Sequence, residues 1–213
     1  MDFNAFADQI SFSTGLKLPG KEAQDLMAAR SRQSNPQYYY PSNKPKRSAV
    51  LILFYPVKEL PHFVLIKRKE YPGVHSKQIS FPGGKIEEAD KDLKETALRE
   101  AKEEIGIDVN KVRIIRELTD IYIPPSNYIV HPFLGISMKR QTFKRDEREV
   151  SQIIEVSLEY LLDEHNICET YFYNDFRKIR IKAPCFNFFE NKVWGATAMI
   201  LSELKEILCQ SMH

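Results

Sequence analysis

Three carboxylates near the middle of the chain have a spacing that suits metal binding. Glu103 and Glu104 follow Glu100 at three and four residues, within the string from Arg99 to Ile107. At about 100° per residue, a helix places these side chains on one arc, beside its apolar arc. Like charges at such spacings repel one another by roughly a few tenths of a kcal/mol per pair, and by more where they are partly buried. A hard divalent cation between them would remove this repulsion.

The ligand type indicates which metal would bind. No cysteine or histidine stands among these carboxylates, and ligation by oxygen alone favours Mg²⁺ or Mn²⁺ over Zn²⁺. The alternative is a solvated helix face on which Arg99 and Glu103 pair at i and i+4. For an isolated Glu-rich stretch the solvated face would be the better interpretation. The residues around this stretch favour the metal site instead.

The sequence around these glutamates resembles the Nudix box. That pattern is Gly, five residues, Glu, seven residues, then Arg-Glu-apolar-any-Glu-Glu-any-Gly-apolar, and its second half matches this chain from Arg99 to Ile107. The first half departs, because the residue that follows Gly84 after five intervening residues is Asp90 rather than Glu, and eight residues rather than seven separate Asp90 from Arg99. With Phe81-Pro82-Gly83-Gly84 in front, this departure resembles the coenzyme A pyrophosphatase branch of the Nudix hydrolase superfamily.

The resemblance implies a metal-dependent pyrophosphohydrolase and a set of site residues. The implied catalytic residues are Arg99, Glu100, Glu104 and Glu149, and the implied metal ligands are Gly84, Glu100, Glu103 and Glu104. The metal, Mg²⁺ or Mn²⁺, would neutralise the diphosphate and orient a water molecule. Arg99 is expected to hold the glutamates by bidentate hydrogen bonds rather than to touch the substrate. Asp90, or Glu87 or Glu88 near it, is expected to tie the loop to the helix.

Nudix enzymes often take a further glutamate from a distant loop as general base or metal ligand. Glu149 is the candidate in this chain, since it directly precedes the apolar run that begins at Val150. Glu147 is the reserve.

The segment upstream of the box also resembles the coenzyme A branch. The branch motif reads roughly Leu-Leu-Thr-x-Arg-Ser, three residues, Arg, three residues, Gly, three residues, then Phe-Pro-Gly-Gly. This chain keeps Arg68, but Lys69, Gly73 and Lys77 stand where the motif has Ser, Arg and Gly. Further resemblance, which covers most of the chain from about Leu18, lies at His75, Gln78, Ile123–Ser126, Glu149-Val150 and Trp194–Ala198.

These substitutions bear on substrate recognition. Coenzyme A carries a 3′-phosphate that adenosine diphosphate sugars lack, and recognising it needs extra positive charge. Gly73 removes a bidentate donor, whereas Lys67, Lys69 and Lys77 add point charges in the same loop. The expected substrate-binding residues are Arg68, Lys69, Lys77 and Gly83. The alternative is that each lysine is an ordinary solvated loop residue.

The function expected from this resemblance is cleavage of the diphosphate of coenzyme A or its derivatives. The products would be phosphopantetheine and adenosine 3′,5′-bisphosphate. A pyrophosphatase acting on another nucleoside diphosphate derivative, such as a nucleotide sugar or a dinucleotide, is the first alternative. A Nudix-like metabolite sensor is a weaker one, because such sensors usually lose box glutamates that this chain retains.

The elements that must position these residues form a mixed pattern. Ala49–Phe54 and Phe63–Ile66 predict a β-hairpin, and a helix is predicted after Asp90, with Gly106 ending it. The remaining predicted elements are strands near 112–118, 121–123, 128–138 and 150–155, a short helix through Leu162, a strand pair within 171–189, and a closing helix from Trp194 to Cys209. We therefore expect an α/β (α+β) fold, and the resemblance implies a Nudix-type α/β/α sandwich with a mixed sheet.

The chain is expected to divide into two parts. Residues 1–45 form an N-terminal helical extension and linker, with helices within residues 1–32, and residues 46–213 form the Nudix hydrolase domain. The linker contains Tyr38-Tyr39-Tyr40, which we expect to pack on the domain rather than to bind a ligand.

Composition limits the partners and the compartment. With 43% hydrophobic residues among 213, the composition is typical of a globular protein. The formal charge of +2 is too small to give a global electrostatic field that would attract nucleic acid or a membrane. The expected partner is a small nucleotide of the coenzyme A type, and a homodimer is left open. Cys168, Cys185 and Cys209 are odd in number and widely spaced, and therefore indicate neither a disulfide framework nor a CxxC metal site. With no apolar leader at Met1–Asn4, a cytoplasmic location is expected.

Overall fold

The computed structural model describes residues 1–35, 41, 44–73, 75–174 and 178–211. The predicted packing of Tyr38-Tyr39-Tyr40 lies outside these residues. The described helices are α1 (Phe3–Phe12), α2 (Gly20–Asp25), α3 (Arg30–Gln33), α4 (Leu93–Ile105), α5 (Leu158–Leu162) and α6 (Ala196–Ser211). The described strands are β1 (Lys46–Val57), β2 (Leu60–Arg68), β3 (Ile79–Ser80), β4 (Gly83–Lys85), β5 (Arg113–Glu117), β6 (Ile121–Ile123), β7 (Tyr128–Ile136), β8 (Val150–Ser157), β9 (Ile167–Asn174), β10 (Ile179–Phe188) and β11 (Asn191–Trp194).

The main sheet is mixed, as predicted, and β1 lies at its centre. The strand order is β3-β2-β1-β7-β5, with β4, β6 and β8 pairing with β1, β7 and β2. β1 and β2 form the expected antiparallel hairpin, and its turn residues Lys58 and Glu59 both have positive φ. That conformation matches the twist of the two strands. β1 pairs with β7 in parallel, whereas the other pairs in this sheet are antiparallel.

Each face of β1 packs against a different helical layer. Successive side chains of a strand point to opposite faces of its sheet. Leu51 and Leu53 accordingly belong to the apolar cluster that includes the buried side of α4. Ile52 and Phe54 belong to the other cluster, which includes residues of α1 and α6. The structure thus confirms the predicted mixed sheet between helices.

Helix α4 has clear signals at both ends. The Asp92 side chain caps its N-terminus by accepting a hydrogen bond of 2.8 Å from the Glu95 N–H. Gly106 ends the helix with a φ of 71°, a left-handed conformation that glycine adopts without strain. Leu93, Ala97, Ala101 and Ile105 are buried. These side chains hold the helix on the sheet and leave the glutamates on the neighbouring arc.

The N-terminal helices belong to the same core as α6. Phe3, Phe6 and Ile10 of α1 are buried in the cluster that also contains α6 residues. The fully buried carboxylate of Glu203 on α6 accepts hydrogen bonds from the Gly20 N–H at 3.3 Å, the Gln24 amide at 3.0 Å, and the Thr119 hydroxyl and N–H at 2.6 and 3.3 Å. One buried acid therefore joins the N-terminal segment, the β5–β6 connection and α6.

The structure corrects the sequence-based interpretation of the cysteines. Cys168 and Cys185 form a disulfide with a Cα–Cα distance of 5.1 Å. They are direct partners in the β9–β10 ladder of a second, three-stranded sheet. The spacing of 17 residues hides this pairing, because it depends on the register of two strands. The predicted start of the last helix also shifts, since Trp194 ends β11 and α6 begins at Ala196.

Among the helices that the structure describes, none has both the length and the apolarity to cross a membrane.

The Glu203 junction makes a prediction about stability. Glu203→Ala removes one acceptor and leaves several buried donors without it, so we expect the free energy of unfolding to fall by about 2–4 kcal/mol. Urea denaturation measures this change. Glu206→Ala, at an exposed position of the same helix, should leave stability nearly unchanged. Equal stability of both variants would contradict a clamping role for Glu203.

Candidate active site

Two glycines of β4 allow close contacts, one with β1 and one with α4. β4 pairs with β1, with Gly83 opposite Val50 and Gly84 opposite Ala49. A Cβ on Gly83 would collide with the Ala49 carbonyl oxygen, and a Cβ on Gly84 would collide with the Glu100 carboxylate. The absence of a side chain at Gly83 therefore lets β4 pair closely with β1, and its absence at Gly84 lets Glu100 of the helix lie directly against the strand backbone.

Glu104 is the most deeply buried of the three helix glutamates. Its side chain is 3% exposed, against 15% for Glu100 and 58% for Glu103. The Gly83 N–H donates a 2.8 Å hydrogen bond to its Oε2, and an Arg68 guanidinium nitrogen lies 3.7 Å from its Oε1. Burial raises the pKa of Glu104 to about 7, against the opposing effects of Arg68 and of the Gly83 N–H.

Glu100 and Glu149 add negative charge at the same place. Burial raises the pKa of Glu100 above its usual value, Arg99 lowers it, and the charges of Glu103 and Glu149 raise it further. The charges of Glu100 and Glu149 likewise raise the pKa of Glu104. Like charges are therefore held together in a partly desolvated place.

Arg99 connects most of the local acids. Its Nε and one terminal nitrogen donate to both oxygens of Asp90, at 2.8 and 3.0 Å. Its other terminal nitrogen lies 3.1 Å from a carboxylate oxygen of Glu100 and from one of Glu103. The terminal nitrogen that contacts Asp90 also donates to the Lys85 carbonyl at 3.1 Å. A single guanidinium thus joins the loop, β4 and α4.

Asp90 fastens the loop before α4. Its Oδ2 accepts hydrogen bonds from the Glu87 N–H and the Thr96 hydroxyl, each at 2.9 Å. The hydrogen bonds from Arg99 hold the pKa of Asp90 well below its usual range. Of the three acids considered for this role, Asp90 makes these contacts.

The loop that carries Glu149 is attached to the end of α4. The Asp146 N–H donates to the Glu104 carbonyl, and the Lys144 N–H donates to the Ile105 carbonyl, each at 2.9 Å. The exposed Glu149 follows in that loop. Glu147, the reserve candidate, instead lies 3.7 Å from Arg145. Its charge is not among the largest causes of the pKa shifts of Glu100 and Glu104, whereas that of Glu149 is.

The donors gathered here fit a hard divalent cation. Carboxylate and backbone carbonyl oxygens are the ligands that such ions prefer, and a cation would relieve the repulsion that raises both glutamate pKa values. Within the part of the chain that the structure describes, no three acidic, histidine or cysteine side chains already form a ligand group. Glu103 is one reason, since it pairs with Arg99 on the exposed side of the helix.

A large cavity opens beside this acidic cluster. It has a volume of about 730 Å³, and Gly83, Gly84, Arg68 and Lys85 line the side next to α4. Apolar side chains line much of the rest, among them Val50, Phe81, Ile123, Trp194, Met199 and Ile200. A cavity of this size, with cations at one side and apolar walls, suits an elongated nucleotide.

Two of the expected substrate-binding residues lie elsewhere. Lys69 and Lys77 are absent from the described lining of this cavity. The Lys77 ammonium lies 2.8 Å from a carboxylate oxygen of Glu70. The Lys69 N–H donates to the Glu149 carbonyl at 2.8 Å. Both lysines therefore make contacts within the loops around the site.

His75 links the loop after β2 to the turn before β7. One ring nitrogen lies 2.9 Å from the Gln78 side-chain oxygen, and the other lies 3.0 Å from the Ser126 hydroxyl. Burial lowers the pKa of His75, and the Arg68 charge lowers it further. Because His75, Gln78 and Ser126 all line the cavity, their contacts fix the shape of its wall.

A cavity with cations at its edge, lined by the two glycines that lie against an acidic helix, is suited to hydrolysing a diphosphate bond with the help of a divalent metal. A NUDIX domain model matches residues 45–176, and the chain belongs to this family of pyrophosphohydrolases. Nudix hydrolases generally use divalent metal ions and act on small nucleotide-derived substrates.

Two relatives have similar sequences along most of the chain. Mitochondrial coenzyme A diphosphatase NUDT8 of Homo sapiens is 30% identical over 172 residues, which cover 80% of this chain and 72% of that protein. An uncharacterized Nudix hydrolase NudL of Yersinia pestis (strain Pestoides F) is 31% identical over 170 residues, which cover 79% of this chain and 82% of that protein.

Solved structures share the fold at lower sequence identity. The Nudix hydrolase RenU of M. smegmatis has a TM-score of 0.54 at 13% identity, covering 78% of this chain and 87% of that one. A MutT/nudix family protein of Enterococcus faecalis has a TM-score of 0.52 at 15% identity, covering 91% of this chain and 76% of that one. These likenesses concern the fold alone.

Sequence reasoning missed several cations of the cavity. Lys85 lines it next to Gly84, and Arg30, Arg180 and Lys182 line it from outside the box region. The one available signal was the alternation Ile179-Arg180-Ile181-Lys182, which places both cations on one face of a strand. Nothing in the sequence indicates that this face meets the site.

Glu104→Gln tests whether the buried carboxylate is needed for turnover. The amide keeps the volume but removes the charge that would bind a metal, so we expect kcat to fall at least about 100-fold. Steady-state kinetics and thermal unfolding measure activity and folding separately. Glu88→Gln, at an exposed loop position, serves as the control. If the Glu104→Gln variant is as active as the unmutated protein, the hypothesis that the α4 glutamates bind a catalytic metal is wrong.

Gly84→Ala tests the close approach of strand and helix. The new Cβ must displace the Glu100 carboxylate, so we expect turnover to fall at least about 10-fold while the protein still folds. Gly15→Ala is a matched control, because a Cβ at Gly15 meets nothing within 4 Å. Manganese titration of both variants should show weaker binding only for Gly84→Ala. Unchanged metal binding and turnover would rule out a need for this contact.

Proposed function

We propose that this enzyme hydrolyses the diphosphate bond of coenzyme A or its derivatives. The products are phosphopantetheine and adenosine 3′,5′-bisphosphate. The observation that carries the proposal is the cavity of about 730 Å³, whose lining combines apolar walls and several cations with Gly83 and Gly84, the two glycines that lie against Glu104 and Glu100 of the acidic helix. Coenzyme A matches this lining, since it combines a diphosphate, a further phosphate and a long, mostly uncharged arm. The similarity to a human coenzyme A diphosphatase supports the same substrate class.

The acidic cluster holds the metal in this proposal. The carboxylates of Glu100, Glu103 and Glu104, with the Gly84 carbonyl, would provide the ligands for Mg²⁺ or Mn²⁺. When bound there, the cation neutralises the diphosphate and stabilises the charge of the leaving phosphate. For Glu103 to join, it must leave its contact with Arg99, which keeps the contacts to Asp90 and Glu100.

The protein groups supply positioning and proton transfer. Glu149 accepts a proton from the water that attacks phosphorus, and the P–O bond to the second phosphate breaks. Its exposed position lets it meet a solvent molecule, and its charge already acts on Glu100 and Glu104. Arg68 lines the cavity beside Glu104 and can donate to a phosphate oxygen. Arg99 holds Glu100 in place and does not line the cavity that the structure describes.

The substrate and metal are tested together. Purified protein with Mg²⁺ or Mn²⁺ should convert coenzyme A to phosphopantetheine and adenosine 3′,5′-bisphosphate, identified by mass. EDTA should abolish turnover, whereas a zinc-selective chelator should leave it unchanged, because the site offers only oxygen ligands. Full turnover with Zn²⁺ alone would show that the ligand assignment is wrong.

Assays of other substrates distinguish coenzyme A hydrolysis from the two alternative functions. Acyl derivatives of coenzyme A, NADH and ADP-ribose are assayed under the same conditions. Faster cleavage of NADH or ADP-ribose than of coenzyme A would instead show a pyrophosphatase for another nucleotide. Tight binding of a nucleotide without cleavage under all metals would favour a sensor.

A further inference from the structure

The large cavity has two walls that come from different parts of the chain. Ser48, Arg68, Phe81 and Tyr128 are among the lining residues that lie within residues 45–176, which the NUDIX domain model matches. A second wall comes from α3, β10 and the start of α6, outside that range. Recognition by this second wall is therefore a property of this chain rather than of the NUDIX domain in general.

The second wall is cationic. Arg30 of α3 and Arg180 and Lys182 of β10 line the cavity. Glu169 lies between two of them, with a carboxylate oxygen 4.0 Å from the Arg30 Nε and the other oxygen 2.6 Å from the Lys182 Nζ. Among the residues of this group that the structure describes, three cations face one carboxylate, which leaves a formal charge of +2 for a ligand.

The strands hold these groups on one face of the second sheet. Arg180 and Lys182 are two residues apart on β10, and Lys182 is the ladder partner of Tyr171 on β9. The Arg180 guanidinium lies over the Tyr171 ring, 5.2 Å from its centroid. The Cys168–Cys185 disulfide joins the two strands further along the ladder. The cations therefore sit on a cross-linked pair of strands against which α3 packs.

We infer that Arg30, Arg180 and Lys182 form a second anion subsite, which binds a phosphate monoester of the substrate outside the scissile diphosphate. Guanidinium and ammonium groups bind phosphate oxygens by charge-assisted hydrogen bonds. The inference rests on the proposed function, and on coenzyme A the group is the 3′-phosphate. Arg68 serves the diphosphate from the other wall, and the apolar lining between the two walls contacts the uncharged parts of the substrate.

The three cationic side chains are exposed, and what distinguishes them from an ordinary solvated surface is that they converge on one cavity. Two segments about 150 residues apart in sequence bring their cations to one cavity, and that cavity also contains the glycines beside the acidic helix. Glu169 alone does not balance them. In this cavity a substrate with one more phosphate would gain contacts that a substrate with the diphosphate alone cannot make.

Binding without turnover tests the subsite directly. Isothermal titration without metal compares adenosine 3′,5′-bisphosphate with 5′-AMP, on the unmutated protein and on the double variant Arg180→Ala/Lys182→Ala. We expect tighter binding of the bisphosphate to the unmutated protein, and a loss of about 10-fold or more in the double variant. Binding of 5′-AMP should change little. Lys192→Ala is the matched control, since Lys192 is an exposed lysine on β11 that does not line the cavity.

Kinetics test the same residues during turnover. The double variant and Arg30→Ala should each raise KM for coenzyme A about 10-fold while kcat stays nearly constant. The reason is that the contact to this phosphate is equally strong in the bound substrate and in the transition state. Dephospho-coenzyme A should be cleaved equally by all variants. Equal losses on both substrates, or no loss on either, would overturn the subsite.

Failure of the proposed function gives a different result. If the enzyme cleaves another nucleotide and not coenzyme A, the proposed substrate is wrong. The subsite then stands if the bisphosphate still binds more tightly than 5′-AMP and the double variant removes that difference. The subsite inference is wrong if adenosine 3′,5′-bisphosphate and 5′-AMP bind the unmutated protein with equal affinity.

Discussion

The guanidinium of Arg99 contacts three carboxylates and one backbone carbonyl, and these contacts bring together three segments of the chain. Asp90 comes from the loop, the Lys85 carbonyl from β4, and Glu100 and Glu103 from α4. Without a cation at this point, acids of the helix and the loop would repel one another. The arginine thus permits a high density of negative charge close to the sheet.

Glu104 is the most buried of the three helix glutamates, at the contact between α4 and β4. The helix carries it under β4, where a backbone N–H and Arg68 are its partners. Such a carboxylate is costly to keep ionised, which explains its raised pKa. The apolar side of α4 provides the opposing stabilisation, because its buried side chains hold the helix on β1. Packing and charge placement are therefore two results of the same docking.

Local signals explain which parts of the structure the sequence predicts. α4 has a capping aspartate, a periodic apolar face and a terminating Gly106, all within about one helix length. The hairpin of β1 and β2 is equally local. The helix glutamates Glu100, Glu103 and Glu104 lie in the same short segment, so their number and spacing could be interpreted without the fold, whereas Glu149 comes from a distant loop.

Contacts between distant segments explain what the sequence does not predict. β4 has three residues and no apolar alternation, and its pairing with β1 depends on the bare backbone of Gly83. The Cys168–Cys185 link needs the register of β9 on β10. The positions of Lys69 and Lys77 depend on which way a loop turns. In the same way, Arg30 and Lys182 approach each other only because α3 packs against β10.

Helix α6 packs in the core but is synthesised after the main sheet that it covers. When the ribosome has completed β8, the chain already contains the acidic helix and the whole main sheet. The sheet face with Ile52 and Phe54 still lacks α6, which belongs to the same cluster. Thr119 and Gln24 also lack their hydrogen-bond acceptor until Glu203 has been made. This face of the sheet therefore lacks the apolar residues of α6, and the cavity lacks the part of its lining that α6 provides, until residues 196–211 have been made.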